Sequence, residues 1–333
     1  MTVRRLAPGA AVRTTGVLDV AVPGYRPHPM HSNERIFSET NCYVDLWVEV
    51  LHALDADPVP ATAFVLGAGF DGRQWDFVKF QPEDLRELYG ISVAEMNVWR
   101  PVLDHVVDNL ADGMLSTVEV DGYWLPDTAG TSYRREHTKT TVVPNLVDRA
   151  ARRMEYFHNS GYHELSGEDF DGAFGLVDPA PALAPYVEQI RFDPDLVRRP
   201  AHEGDRDIDL IARHFARRPA GNPVAELGGQ VLADVEWLVD EDPEQFHLWS
   251  FGTLRQCGAS AELAADLSRY LESRGRTGAA DAAEAFTAVA TGAKTAQFRL
   301  ARAMRGRAAS LDEQLDSMAG HWATAIDRLG LVL

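Results

Sequence analysis

The chain has 333 residues, 45% of them hydrophobic, which is enough for two domains at ~150 residues each. Its 50 acidic and 32 basic residues give a formal charge of -18, which argues against a nucleic-acid backbone or an anionic membrane as the main partner. Two cysteines, Cys42 and Cys257, are too few for a disulfide framework and fit a reducing cytoplasm. No signal-peptide pattern stands at the N-terminus, and no apolar run reaches the ~18 residues that a membrane-spanning helix needs.

Val12 to Val22 has room for a strand or two, and Tyr25 to His31 reads as an ordered, extended approach to a helix. That helix starts at Cys42. Leu46, Trp47, Val50, Leu51 and Leu54 recur at the spacing of one buried helical face, and Thr40 and Asn41 are residue types that cap helix starts. Asp55 to Pro58 stops it. A short apolar element follows over Pro60 to Gly67, then a turn and a strand between Gly69 and Phe80. Pro82 to Gly90 is a short helix closed by Gly, and Val102 to Leu110 is a second amphipathic helix.

The texture then changes. Leu115 to Asp121 alternates and is a strand; Tyr123 to Asp127 leaves it as a loop. His137 to Val143 is a second strand, Asn145 to Arg153 a turn or helical excursion, and Arg153 to Asn159 a third strand. Beyond Pro179 strand signals are few. Ala180 to Pro185 reads as a linker. Ile208–Arg217, Val231–Val239, Ala259–Ser273, Gly278–Arg305 and Leu311–Leu329 read as helices.

A thiol on the first turn of a helix feels the positive end of the helix dipole, which favours thiolate; the bland alternative is that Cys42 is a small buried apolar residue. Strands bearing His137 and then Asn159 follow. An imidazole that shares the thiol proton, and a polar group that holds the ring, are what nucleophilic cysteine chemistry requires. Asp121 and Asp148 are the alternatives to Asn159 as that third group. Candidate oxyanion donors are Asn41, Asn33 and the Cys42 backbone N–H. His158 and His163 flank Asn159 at a spacing that matches no common zinc pattern, so no metal is expected. Glu136, next to His137, points to the opposite strand face. Arg134, Arg135 and Lys139 form a basic cluster, either a solvated loop or a contact to a phosphate. Cys257 reads as core or helix end. Gly67 to Gly72 has no third glycine in register and no helix behind it, so no dinucleotide loop is expected.

The order Cys42, His137, Asn159 is that of papain-like cysteine enzymes, and Phe157-His158-Asn159-Ser160-Gly161-Tyr162 is similar to their Asn-bearing motif. Three stretches resemble the bacterial DUF1839 family: Glu39 to Trp47, Leu125 to Thr140, and Tyr156 to Asn159, with the similarity running over about residues 25 to 330. A more distant resemblance, carried by Val118 to Pro126 and His137, is to the N-terminal domain of the butirosin biosynthesis H protein, an acyltransferase that moves an aminoacyl group from an acyl carrier protein to an amine.

These resemblances imply an α+β protein, with a papain-like catalytic domain over residues 1–178 and a helical domain over 179–333. They imply a thiol-dependent acyltransferase in specialised metabolism, with Cys42 as nucleophile and His137 as base. The implied partners are an acyl carrier protein, whose phosphopantetheine arm belongs to the substrate and meets Arg134, Arg135 and Lys139, and a small-molecule amine acceptor. No bound cofactor is expected. A cysteine hydrolase acting on an amide, and a non-catalytic binding protein on the same scaffold, are the alternatives.

Overall fold

The computed structural model describes residues 16–178, 183–197, 199–305 and 310–333. Its first helix, α1 (Cys42–Ala53), starts where its sequence says it should. Asn41 Oδ1 accepts from the backbone N–H groups of Tyr43 and Val44, and Asn41 Nδ2 donates to the Val78 carbonyl, so the cap is itself tied down. Every residue from Tyr43 to Leu51 is buried, beyond what a one-sided amphipathic helix would show.

What buries α1 is a six-stranded antiparallel sheet: β1 (Ile91–Glu95), β2 (Leu115–Asp121), β3 (Lys139–Asp148), β4 (Arg153–His158), β5 (Gly161–Ser166) and β6 (Val187–Phe192), in the spatial order β1-β6-β2-β3-β4-β5. Helix α1 packs against β3, β4 and β5. Its Tyr43 hydroxyl donates to Glu188 on β6, which also accepts from Thr117 on β2, placing both on the α1 face of the sheet. Helices α2 (Pro82–Tyr89) and α3 (Val102–Ala111) precede β1 and β2, and Gly90 ends α2 in the left-handed conformation. Asn109 of α3 bonds Ser116 on β2 and Gln189 on β6, which point the other way, so α3 covers the opposite face.

Several expectations need correcting. Residues 69–80 form no named strand: Phe70 and Trp75 make one isolated bridge, and beyond it the chain docks on helices, Trp75 N–H donating to the Gly252 carbonyl. Tyr123 to Asp127 is two 3-10 turns. His137 lies just before β3, and Asn145 sits inside β3 at its bulge rather than in a turn; its side chain bonds Leu18 through both backbone atoms. Residues 16–22 form no strand, and 12–15, like linker positions 180–182, lie outside the described residues. Strands β1, β5 and β6 were not expected, and β6 extends the sheet past residue 178.

After β6 the described chain is helical: α5 (Arg206–Ala216), α6 (Pro223–Leu238), α7 (Pro243–Ser250), α8 (Gln256–Ser273), α9 (Ala279–Ala303) and α10 (Asp312–Gly330), with the short α4 (Glu168–Ala173) lying earlier, between β5 and β6. Helix α8 packs against α9, and α9 against α10. Small residues make close approach possible: Ala259, Ala261, Ala264 and Ala265 are buried on α8, as are Ala282, Ala283, Ala290 and Ala293 on α9. Cys257 is fully buried in α8, and burial pushes its thiol well above its ordinary pKa. The helical part also grips the chain that leads into α1. Glu262 of α8 accepts from the Ile36 and Phe37 N–H groups, and Asp266 pairs with Arg35 at 2.7 Å.

Candidate active site

The N-terminus of α1, the end of β2, the start of β3 and the β4–β5 turn meet at one end of the sheet. Ser160 in that turn donates to Glu39, three residues ahead of Cys42, at 3.2 Å. Asp121 pairs with Lys139 across β2 and β3, so His137, two residues upstream of Lys139, projects beside Asp121.

There the two side chains join. His137 Nδ1 donates to Asp121 Oδ2 at 2.5 Å, while Asp121 Oδ1 accepts from the Tyr123 N–H. The carboxylate thus closes a turn and holds a ring. The imidazole stacks on Tyr123 at 4.6 Å between centroids, so position and tilt are both set. With Nδ1 carrying the proton, Nε2 presents its lone pair outward. The His137 side chain is 73% exposed and lies on the walls of two cavities, of ≈ 1060 and ≈ 650 Å³.

Cys42 is half-buried at the first position of α1, and neither its thiol nor its backbone N–H makes a hydrogen bond among the described residues. It lies outside the lining of both cavities that His137 borders. The structure brings Cys42 and His137 to the same end of the sheet without a hydrogen bond between them.

Asn159 has a different place from the one its motif suggests. It opens the two-residue turn between β4 and β5 with φ +47, a backbone that Asn tolerates better than most side chains, and it makes no hydrogen bond to His137. Asp121 has the ring instead. Asp148, the other alternative, ends β3 and accepts from the Ala151 N–H. Asn41 is spent on its cap and on Val78, whereas the Cys42 N–H and the exposed Asn33 side chain make no hydrogen bond among the described residues. The basic cluster is largely neutralised. Arg134 binds Asp169 at 2.6 Å and lies over Trp124, and Lys139 binds Glu119 at 2.6 Å; Arg135 is exposed.

A second His–Asp pair was not foreseen. His158 Nδ1 donates to Asp127 Oδ2 at 2.5 Å, Thr140 Oγ1 donates to His158 Nε2 at 2.7 Å, and the Tyr156 hydroxyl completes Asp127 at 2.5 Å. This has the connectivity of a hydroxyl–imidazole–carboxylate triad, yet His158 is 1% exposed. Its register with Val142 puts it on the sheet face away from α1. Burial opposes the Asp127 charge, but the hydrogen bond from His158 outweighs it and holds the carboxyl below its ordinary value. His163 approaches the same carboxylate at 3.9 Å, and burial pulls its imidazole pKa down.

Upstream, His31 lies between two carboxylates of α1, binding Glu49 through Nδ1 and standing 3.5 Å from Asp45; Tyr25 donates to Glu49 at 2.5 Å. Burial opposes the His31 charge, but its hydrogen bonds to Asp45 and Glu49 win and raise it to about 9. The pairing anchors residues 25–31 against the cysteine helix.

Residues 26–192 match the DUF1839 N-terminal domain and residues 201–330 the DUF1839 C-terminal domain, and the chain belongs to this family. No curated protein matches it.

Proposed function

We propose that the chain is a cysteine-dependent acyl-transfer enzyme on a papain-like scaffold, with Cys42 as nucleophile, His137 as base and Asp121 as the group that holds the ring. The observation that carries this reading is the exposed His137–Asp121 pair at 2.5 Å, set at the end of the sheet where the cysteine helix begins. The imidazole takes the thiol proton through Nε2. The thiolate attacks an acyl donor, the Cys42 N–H supports the developing oxyanion, and the protonated imidazole returns its proton to the leaving group. A thioester such as that of an acyl carrier protein suits this equipment, because it is already activated and asks little of the oxyanion site. An amine then discharges the acyl-cysteine. The helical domain grips residues 35–37 and so fixes the segment that leads into the cysteine helix.

Incubation with acyl thioesters followed by intact mass measurement tests this. The expected result is an adduct on Cys42 that persists without an amine and is lost when one is added. Rapid discharge by water, indifferent to amines, would make the protein a hydrolase. No adduct from any thioester would leave a non-catalytic binding protein.

A further inference from the structure

The ≈ 1060 Å³ cleft lies between the two family domains: Phe37 and residues 136–138 form one wall, α7, α9 and the turn before α8 the other. That turn, Phe251–Arg255, is π-helical, an uncommon arrangement that recurs at functional sites. It delivers Arg255 to the cleft, where α9 delivers Lys294. In a chain of formal charge -18, neither cation has a carboxylate within ion-pair distance among the described residues, and the buried Arg255 Nε has no hydrogen-bond partner. Lys294 is the sole lysine between positions 201 and 333. Burial, and then the charge of Arg255, pull its ammonium below its ordinary pKa, outweighing the opposing charge of Glu262. The carboxylates on the cleft wall, Glu136 and Glu244, are exposed; Glu262 nearby is taken by Arg35 and by two backbone N–H groups.

The surroundings are aromatic. Lys294 Nζ sits 4.8 Å from the Phe37 ring, and Phe37 packs so close to α8 that a Cβ on Gly258 would stand 2.5 Å from it. Phe246, Phe251 and Phe298 complete an apolar lining.

We propose that this cleft binds a ligand bearing a compact oxyanion, phosphate or carboxylate, on an apolar stem, with the oxyanion between Arg255 and Lys294. Arg255 offers the planar fork that such groups accept, and Lys294 a point charge. This rests on the function proposed above, since His137 stands on the same cleft wall and the ligand is then the acyl donor, held by its anionic end.

Calorimetry on the full-length Cys42→Ala protein separates the two ideas, because binding needs no nucleophile. The probes are phosphopantetheine, pantetheine and hexanoate. The proposal expects phosphopantetheine or hexanoate to bind at least tenfold more tightly than pantetheine, whichever binds naming the anion. Lys294→Gln and Arg255→Gln should each weaken that binding at least tenfold, whereas Arg73→Gln, exposed and outside the cleft lining, should not. If Arg255→Gln fails to fold, Lys294→Gln decides alone. Equal binding of pantetheine and its phosphate, no loss in Lys294→Gln, or no binding of either anionic probe at millimolar concentration would overturn the site. Anion binding without any acyl adduct on the native protein would retain the site and remove the enzyme.

Discussion

The sheet carries two His–Asp pairs with the same 2.5 Å contact through Nδ1, and they have opposite fates. His158 is sealed at 1% exposure, its second nitrogen closed by Thr140; His137 is 73% exposed on its side chain and lines a cleft. Chemistry of the pair does not separate them. Access does. A carboxylate-held imidazole inside a sheet is a structural cross-link, while the same unit at the sheet's end is able to exchange a proton with another molecule.

Substitution should pull the two apart. His137→Ala should lower acyl transfer by about 10²–10⁴-fold, the usual worth of a positioned proton-transfer group, and leave the melting temperature unchanged. His158→Ala should instead cost about 3–5 kcal/mol of stability by stranding the buried Asp127 charge, a loss that thermal unfolding would record. If His158→Ala folds normally and only activity falls, the roles are reversed.

Asp121→Asn should slow turnover by less than His137→Ala while leaving a Cys42 adduct detectable by mass. Asn159→Ala should scarcely change turnover, because its work is the turn at φ +47; a rate loss matching that of Asp121→Asn would restore it to the site.

A third histidine sharpens the contrast through stability rather than rate. His31 is raised from 6.5 to about 9 on folding, so the protein binds its proton more tightly folded than unfolded. That contribution is complete below pH 6.5 and is lost as pH rises through about 9. Beside it, burial raises the Asp45 carboxyl, while the hydrogen bonds of His31 and Tyr25 to Glu49 outweigh burial and lower that one, so the comparison with a His31 variant is what assigns the alkaline slope. Melting temperature followed from pH 6 to 10 should fall through that window, and His31→Gln should flatten the fall.

How much of this is legible in the sequence follows the range of the interactions. Helix α1 is readable because its cap and its apolar spacing lie within one short stretch. Strand β6 is not, because its partners, β1 and β2, lie some seventy or more residues upstream, and nothing in Val187–Phe192 records them. Asn159 misleads because a turn and a catalytic motif favour the same residue type. Asp121 is legible only as a choice between closing a turn and orienting a ring, and it does both. The Arg255–Lys294 cleft leaves a single trace, a lone lysine in an arginine-rich half; the π-helical turn beneath it has no compositional mark.

Cysteine chemistry here requires Cys42 and His137 to act on one another across a gap that no hydrogen bond closes. The rate of Cys42 alkylation by iodoacetamide, followed by peptide mapping at neutral pH in the native protein and in His137→Ala, reads that coupling directly. Cys42 should label within a brief exposure, and removing His137 should slow it at least tenfold. Equal rates in the two proteins would show that Cys42 reacts without His137, and would contradict the shared site.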